Sequence, residues 1–172
     1  MKKKTLKKQY FTVQLVLSAV MSSLVCVATF LIRIPNPPTQ GYINFGDAMI
    51  FVSALSFNAV VGGFAGGVGA ALADILAGYA HFAPFTLIIK GVEGIIAGLI
   101  AGKKSVLRDS FAVAIAGSEM IVGYFLVEFY LYGLGAALTE IPGNIVQMVI
   151  GGIIGIPIAI VIRKRLPETL KD

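Results

Sequence analysis

The sequence predicts an all-α polytopic membrane protein, a single domain over residues 1–172 with six transmembrane helices and both termini in the cytoplasm. Three observations predict it. Of the 172 residues 57% are hydrophobic and only 13% charged, against roughly 45–50% and 25% in soluble domains, whose surfaces face water. A chain this short has too little interior to hide so much apolar side chain, because small domains bury a smaller share of their surface. The basic residues, finally, fall in short clusters between long apolar runs.

A spanning helix needs roughly 20 mostly apolar residues at 1.5 Å rise each. Residues 11–32 carry no charge and form the first span; the run is too long for the h-region of a cleaved leader. A polar segment follows, RIPNPPTQGYINFGD over 33–47, whose prolines forbid a regular helix. Asp47 suits the N-cap of a short second span, 48–57. A break at Asn58 leads to a Gly-rich third span, 60–78. These two spans also fit a bent hairpin that fails to cross fully. A turn over 79–84 precedes the fourth span, 85–101. KKSVLRD interrupts at 103–109, the fifth span covers 110–132, and after YGLGAALTEIPG the sixth covers 144–162.

Orientation follows from Lys and Arg in short loops. With six spans and the N-terminus inside, twelve of the 14 Lys and Arg fall on the cytoplasmic side, Arg33 and Lys90 being the exceptions. Nucleic-acid binding is excluded, since no segment combines the basic clusters with exposed aromatics. An intramembrane enzyme is disfavoured by a single His and a single Cys, Cys26 deep in the first span, which leave no nucleophile–base pair and no metal-ligand set. Neither a catalytic residue, a metal nor a cofactor is expected.

Ionisable residues inside spans are costly and face a partner or a cavity. Here they are Asp74, Lys90, Glu93, Glu119 and Glu128. Asp74, Lys90 and Glu128 fall in the outer parts of their helices, while Asn144 and Gln147, three apart on one face, begin the sixth. His81 lies in the loop above. The pattern predicts a cavity on the outer side. Glu128 shares a face with Tyr124, whereas Glu119, nine residues away, points roughly 180° from it and is expected to pair with another helix. Lys90 and Glu93, at i,i+3, fit an internal ion pair as well as a ligand contact, and Asp74 fits pocket or structural partner equally. Asn36, Gln40, Tyr42 and Asn44 give the 33–47 loop hydrogen-bonding groups for covering a small polar ligand. Phe82, Phe85 or Tyr124 would stack on a flat ring, Lys90 would suit an anionic group and Glu128 a cationic or hydroxyl group. Candidate substrate-binding residues are therefore Asn36, Tyr42, Asn44, His81, Phe85, Lys90, Tyr124, Glu128, Asn144 and Gln147. On the first helix Ser18, Ala19, Ser22 and Ser23 make a small-residue stripe suited to docking another membrane protein. Gly62–Gly66 and Gly63–Gly67 suit internal close packing.

The runs INFGDAMIFVSALSFNAVVGGFAGGVGAALADILAGY (43–79) and PFTLIIKGVEGIIAGLIAG (84–102) resemble the S components, or substrate-binding subunits, of energy-coupling factor (ECF) vitamin transporters. The similarity is greatest to the branch handling hydroxymethylpyrimidine, pyridoxine or riboflavin-type ligands. The resemblance implies a non-catalytic subunit of the bacterial plasma membrane that captures a B-vitamin or precursor from outside, with the 33–47 loop as lid. It implies as partners a transmembrane coupling subunit (EcfT-like), two cytoplasmic ATP-binding subunits (EcfA-like) and membrane lipid. The chain has no Gly-rich phosphate loop of its own for ATP. The family's Ala-xxx-Ala docking motif reads Ala19–Ser23 here, and Asn58 stands where many relatives have Gly. A self-sufficient carrier or channel working as an oligomer is the alternative reading, and it requires a polar path to the inner side.

Overall fold

Apolar periodicity and the turn residues together build six helices and one two-stranded hairpin among the described residues, in a computed structural model that describes residues 2–36, 41–102 and 105–166. In chain order these are α1 (Lys2–Leu31), β1 (Arg33–Asn36), β2 (Gly41–Asn44), α2 (Gly46–Ser56), α3 (Ala59–Ala77), α4 (Ala83–Ile100), α5 (Val106–Tyr132) and α6 (Leu134–Arg165). Five of the helices, all but α2, are long and apolar enough to cross a membrane. Their outward faces carry large apolar side chains such as Leu15, Val20, Phe64, Leu99 and Ile153, as lipid contact requires.

The second predicted span is present as a helix, and it is the short one. α2 has 11 residues, about 16 Å at 1.5 Å each, roughly half of the hydrocarbon core. All of its residues except Met49 are buried, which is why it is apolar on every side and shows no amphipathic stripe. One flank, with Phe51 and Leu55, packs into a cluster with Ala97, Val113 and Ala159. The other, with Ile50 and Val52, packs with Met21, Val25 and Val61. A short central helix wrapped by five long ones occupies the axis of the bundle.

Boundaries moved for local reasons. Phe45, not Asp47, is the N-cap of α2, and Asp47 lies in its first turn. Asn58 starts α3 by accepting a hydrogen bond from the Val61 amide at 3.0 Å, the usual role of an Asn before a helix. α3 ends where Gly78 takes φ 89° and returns its amide to the Asp74 and Ile75 carbonyls, a conformation that favours glycine. Ser105 caps α5 from the Arg108 amide, so the second half of the predicted 103–109 interruption is helical. The largest shift is in α6, which begins at Leu134, ten residues before its predicted start at 144, and carries Pro142 and Pro157 inside it. Intramembrane helices tolerate such prolines because neighbouring groups re-satisfy the freed carbonyls.

The Pro-rich segment forms no helix in its described parts, as its prolines require. Its described parts form an antiparallel ladder, Arg33 opposite Asn44, Ile34 opposite Ile43 and Pro35 opposite Tyr42. A two-stranded ribbon has free edges, and there Pro35 costs no ladder bond. Gln40 lies outside the described residues.

α3 and α4 touch backbone to backbone. A Cβ on Gly62 would sit 2.7 Å from the Gly94 carbonyl oxygen, and one on Gly67 would sit 2.7 Å from that of Leu87, so only glycine permits this approach. The hairpin, the α3–α4 turn and the α5–α6 turn share one end of the bundle, the hairpin end. At the other, the basic end, Arg163 of α6 pairs with the fully buried Asp109 of α5 and donates to the Gly102 carbonyl at 2.9 Å. That staple holds the last turn of α6 to the start of α5.

Candidate ligand cleft

Residues three and four apart on a helix share a face, and each of three helices presents such a set inward at the hairpin end. α4 supplies Phe82 from its N-cap and Thr86, α5 supplies Tyr124 and Glu128, and α6 supplies Glu140, Asn144 and Gln147. Asp74 comes from the last turns of α3, and Tyr42 and Asn44 reach in from β2. Together they line a cleft of about 410 Å³, the open space at its mouth included.

The hairpin is tied down across this cleft. The Tyr42 hydroxyl donates to Asp74 Oδ1 at 2.5 Å, and the Tyr42 and Tyr79 rings lie 5.0 Å apart. Burial, reinforced by the Asp74 carboxylate, raises the Tyr42 phenol above its ordinary value, so it remains the donor. At the end of β2 the Asn44 amide donates to Gln147 Oε1 at 2.7 Å, and Asn44 Oδ1 accepts from the Gly46 amide at 2.8 Å. Gln147 Nε2 in turn donates to Asp47 Oδ2 at 3.0 Å. The inner wall is set by the Tyr124 hydroxyl, which donates to Thr86 Oγ1 at 3.1 Å.

Beneath the cleft lies a sealed charge cluster. Lys90, 2% exposed, pairs with Asp47, 1% exposed, and with Glu93 Oε2 at 3.0 Å. The expected Lys90–Glu93 pair is present, joined by Asp47, which sequence reasoning had assigned to a cap. A buried ammonium between two carboxylates has its charge met on both sides. The Lys90 Nζ also lies 5.7 Å from the centre of the Tyr124 ring, so one face of that ring backs onto the cluster.

Of the ten candidate binding residues, Tyr42, Asn44, Tyr124, Glu128, Asn144 and Gln147 come together in the cleft. Four do not line it. Asn36 is at the far end of β1, opposite Gly41. His81 is exposed, shares a 3.2 Å hydrogen bond with the Tyr132 hydroxyl, and its ring lies tilted beside that of Phe82, 4.7 Å between centres. Phe85 is half-buried and is not among the lining residues. Lys90 is held below by Asp47 and Glu93, so its expected contact with an anionic ligand group is not available in this arrangement. Glu119 is half-buried outside the lining, and its Oε2 has no hydrogen-bond partner among the described residues.

Thr86 and Glu140 were not singled out from sequence. Thr86 has a signal, Phe82–Thr86–Lys90 at steps of four. Glu140 was hidden by Pro142, which made 132–143 read as a loop; with α6 extended, Glu140, Asn144 and Gln147 form one stripe. The small-residue stripe of α1 splits in two. Ser18 and Ser22 are buried, and Ser22 donates to the Phe64 carbonyl of α3 at 3.0 Å, so these two cannot face a partner. Ala19 and Ser23 are exposed, with Ser23 donating back to the Ala19 carbonyl.

Comparison with known proteins decides the family. Residues 9–164 match the family of the ECF-type riboflavin transporter S component. The chain belongs to that family. An S component is a non-catalytic, substrate-binding transport subunit, and the five spanning helices make this one a multi-pass membrane protein. The chain is 47% identical over 148 residues to an uncharacterized protein encoded in a gap 3' region of Pyrococcus woesei, covering 86% of this chain and 99% of that one. It is 34% identical over 143 residues to the thiamine precursor transporter HmpT of Lactococcus lactis subsp. cremoris, covering 80% of each.

Proposed function

We propose that this S component captures a small B-vitamin or vitamin precursor, of the size and flatness of hydroxymethylpyrimidine or pyridoxine, in the cleft beneath the hairpin. The observation that carries the reading is that hairpin residues and four helices close one aromatic- and amide-lined cleft together. Tyr42, Phe82 and Tyr124 offer ring faces, and Asn44, Asn144 and Gln147 offer groups that both donate and accept. Such walls bind a flat heteroaromatic and fix its orientation. The HmpT relative supports a pyrimidine-type ligand.

The positive-inside distribution supports placing the basic end in the cytoplasm and the cleft at the outer face. The hairpin then acts as the lid. α2 and the Lys90–Asp47–Glu93 cluster fill the axis below the cleft, which favours a capture subunit over a self-sufficient channel. Delivery to the inside would require a transmembrane coupling subunit docked on the Ala19–Ser23 face and two cytoplasmic ATPases.

The reading is tested by screening purified full-length protein by thermal shift against B-vitamins and their precursors, with mass spectrometry of molecules that co-purify. A ligand bound near one per chain is expected. Silence across the whole panel overturns the reading.

A further inference from the structure

α6 carries Gly143, Gln147 and Gly151 at steps of four, and residues four apart share a helix face. A Cβ on Gly143 would sit 2.7 Å from Ile43 Cδ1 of the hairpin, and one on Gly151 would sit 3.0 Å from Asp47 Cβ of α2. The two glycines therefore admit β2 on one side and α2 on the other, with Gln147 between them. Gln147, 4% exposed, bonds both elements. Its Oε1 accepts from the Asn44 amide at 2.7 Å, and its Nε2 donates to Asp47 Oδ2 at 3.0 Å. A side-chain amide has one accepting and one donating end, so its direction decides whether both bonds form. Asp47 sets that direction. Its other oxygen is taken by Lys90, and the carboxylate of a buried ion pair can only accept. Turning the Gln147 amide over would set oxygen against oxygen at Asp47 and donor against donor at Asn44.

We infer that Asp47 is a positioning residue for the hairpin: by fixing the direction of Gln147, it holds the end of β2 against α6. Asp47 is not among the residues lining the cleft, so its effect on the cover runs through Gln147. The contact stands on its own; its meaning for capture rests on the reading of the hairpin as lid. Asp47→Asn keeps an oxygen for Lys90 and turns an amino group toward Gln147, which then cannot keep both of its bonds. Gln147→Glu sets two carboxylates face to face, and like charges repel. With both changes donor and acceptor trade places. The new amide at position 47 donates to the new carboxylate at position 147, which also accepts from the Asn44 amide, and the net charge is unchanged.

The test is hydrogen–deuterium exchange of the purified full chain without ligand, read by mass spectrometry on peptides covering β2, α2 and the α3–α4 contact. Asp47→Asn and Gln147→Glu are each expected to speed exchange of the β2 peptide about 10-fold, as loss of one hydrogen bond implies. The α3–α4 peptides should not change. The double variant is expected to return to within about 3-fold of wild type, because the two sites are coupled. A role confined to balancing the Lys90 charge gives another pattern: Asp47→Asn would loosen α2 and α4 alone, and adding Gln147→Glu would repair nothing. That pattern, or wild-type exchange of β2 in both single variants, overturns the inference. If a single variant fails to elute as a monodisperse peak, the double variant decides. Its recovery with wild-type β2 exchange supports the coupling, and continued aggregation or fast exchange overturns it. No ligand enters the measurement, so a failure here leaves vitamin capture standing, and a silent ligand screen leaves this contact standing.

Discussion

Tyr42 of the hairpin donates its hydroxyl to Asp74 of α3 at 2.5 Å, joining the segment that covers the cleft to a helix that forms its wall. Two residues on, the Asn44 amide makes the matching tie to Gln147 of α6. The hairpin is therefore fastened on both sides of the cleft through polar bonds, beside the packing of Tyr42 on Tyr79. Polar ties of this kind can break and re-form without repacking the bundle.

Removing the first tie should loosen the cover and leave the bundle intact. A hydrogen bond to a charged acceptor is worth ~1.5–3 kcal/mol. Tyr42→Phe is accordingly expected to release bound ligand about 10- to 100-fold faster in stopped-flow measurements, with the thermal midpoint of the ligand-free protein within a few degrees of wild type. An unchanged release rate would show that the hairpin is not the lid.

Lys90 anchors the charge cluster below. Truncating one partner of a buried ionic cluster leaves its counter-charges uncompensated, at about 3–5 kcal/mol. Lys90→Met should lower thermal stability sharply by exposing Asp47 and Glu93 to each other. Adding Asp47→Asn and Glu93→Gln to Lys90→Met should recover much of the loss, because the triple variant buries no net charge. A stable single variant would contradict the assignment.

The helix α3–α4 contact makes a steric prediction. With the Gly94 carbonyl 2.7 Å from a would-be Cβ at Gly62, Gly62→Ala must push the helices apart, at roughly 1–3 kcal/mol for overpacking. A lower unfolding temperature is expected. Gly135, where a Cβ meets nothing within 4 Å, is the matched control.

The exposed and buried halves of the α1 stripe should behave differently. Ala19→Leu or Ser23→Leu is expected to abolish uptake in cells carrying the coupling module while leaving ligand affinity of the purified chain unchanged. Ser22→Leu, which drives a large side chain against the Phe64 carbonyl of α3, should instead destabilise the fold. Equal uptake by wild type and Ala19→Leu would remove this face as a docking surface.

Much of this was legible in the sequence because lipid imposes a simple rule: long uncharged runs cross. The five long helices and the polar groups Tyr124, Glu128, Asn144 and Gln147 followed from that rule and from helical spacing. What was missed came from tertiary context. Asp47 reads as a cap because it precedes an apolar run, and only the arrival of Lys90 from α4 makes it an ion-pair partner. Glu140 was lost because Pro142 usually ends a helix in water, whereas inside a membrane bundle the freed carbonyl finds other partners. The hairpin escaped notice because its prolines hide a ladder that needs few bonds. Ser18 and Ser22 looked like docking residues because burial against α3 cannot be told from burial against another protein by spacing alone.

The most direct measurement of the central claim is calorimetric titration of hydroxymethylpyrimidine and pyridoxine into the wild-type chain and into Tyr124→Ala and Asn144→Leu. Saturable binding near one per chain by the wild type, lost in both variants while their helical content is retained, is the expected result. Wild-type affinity persisting in both variants would place the ligand somewhere other than the cleft beneath the hairpin.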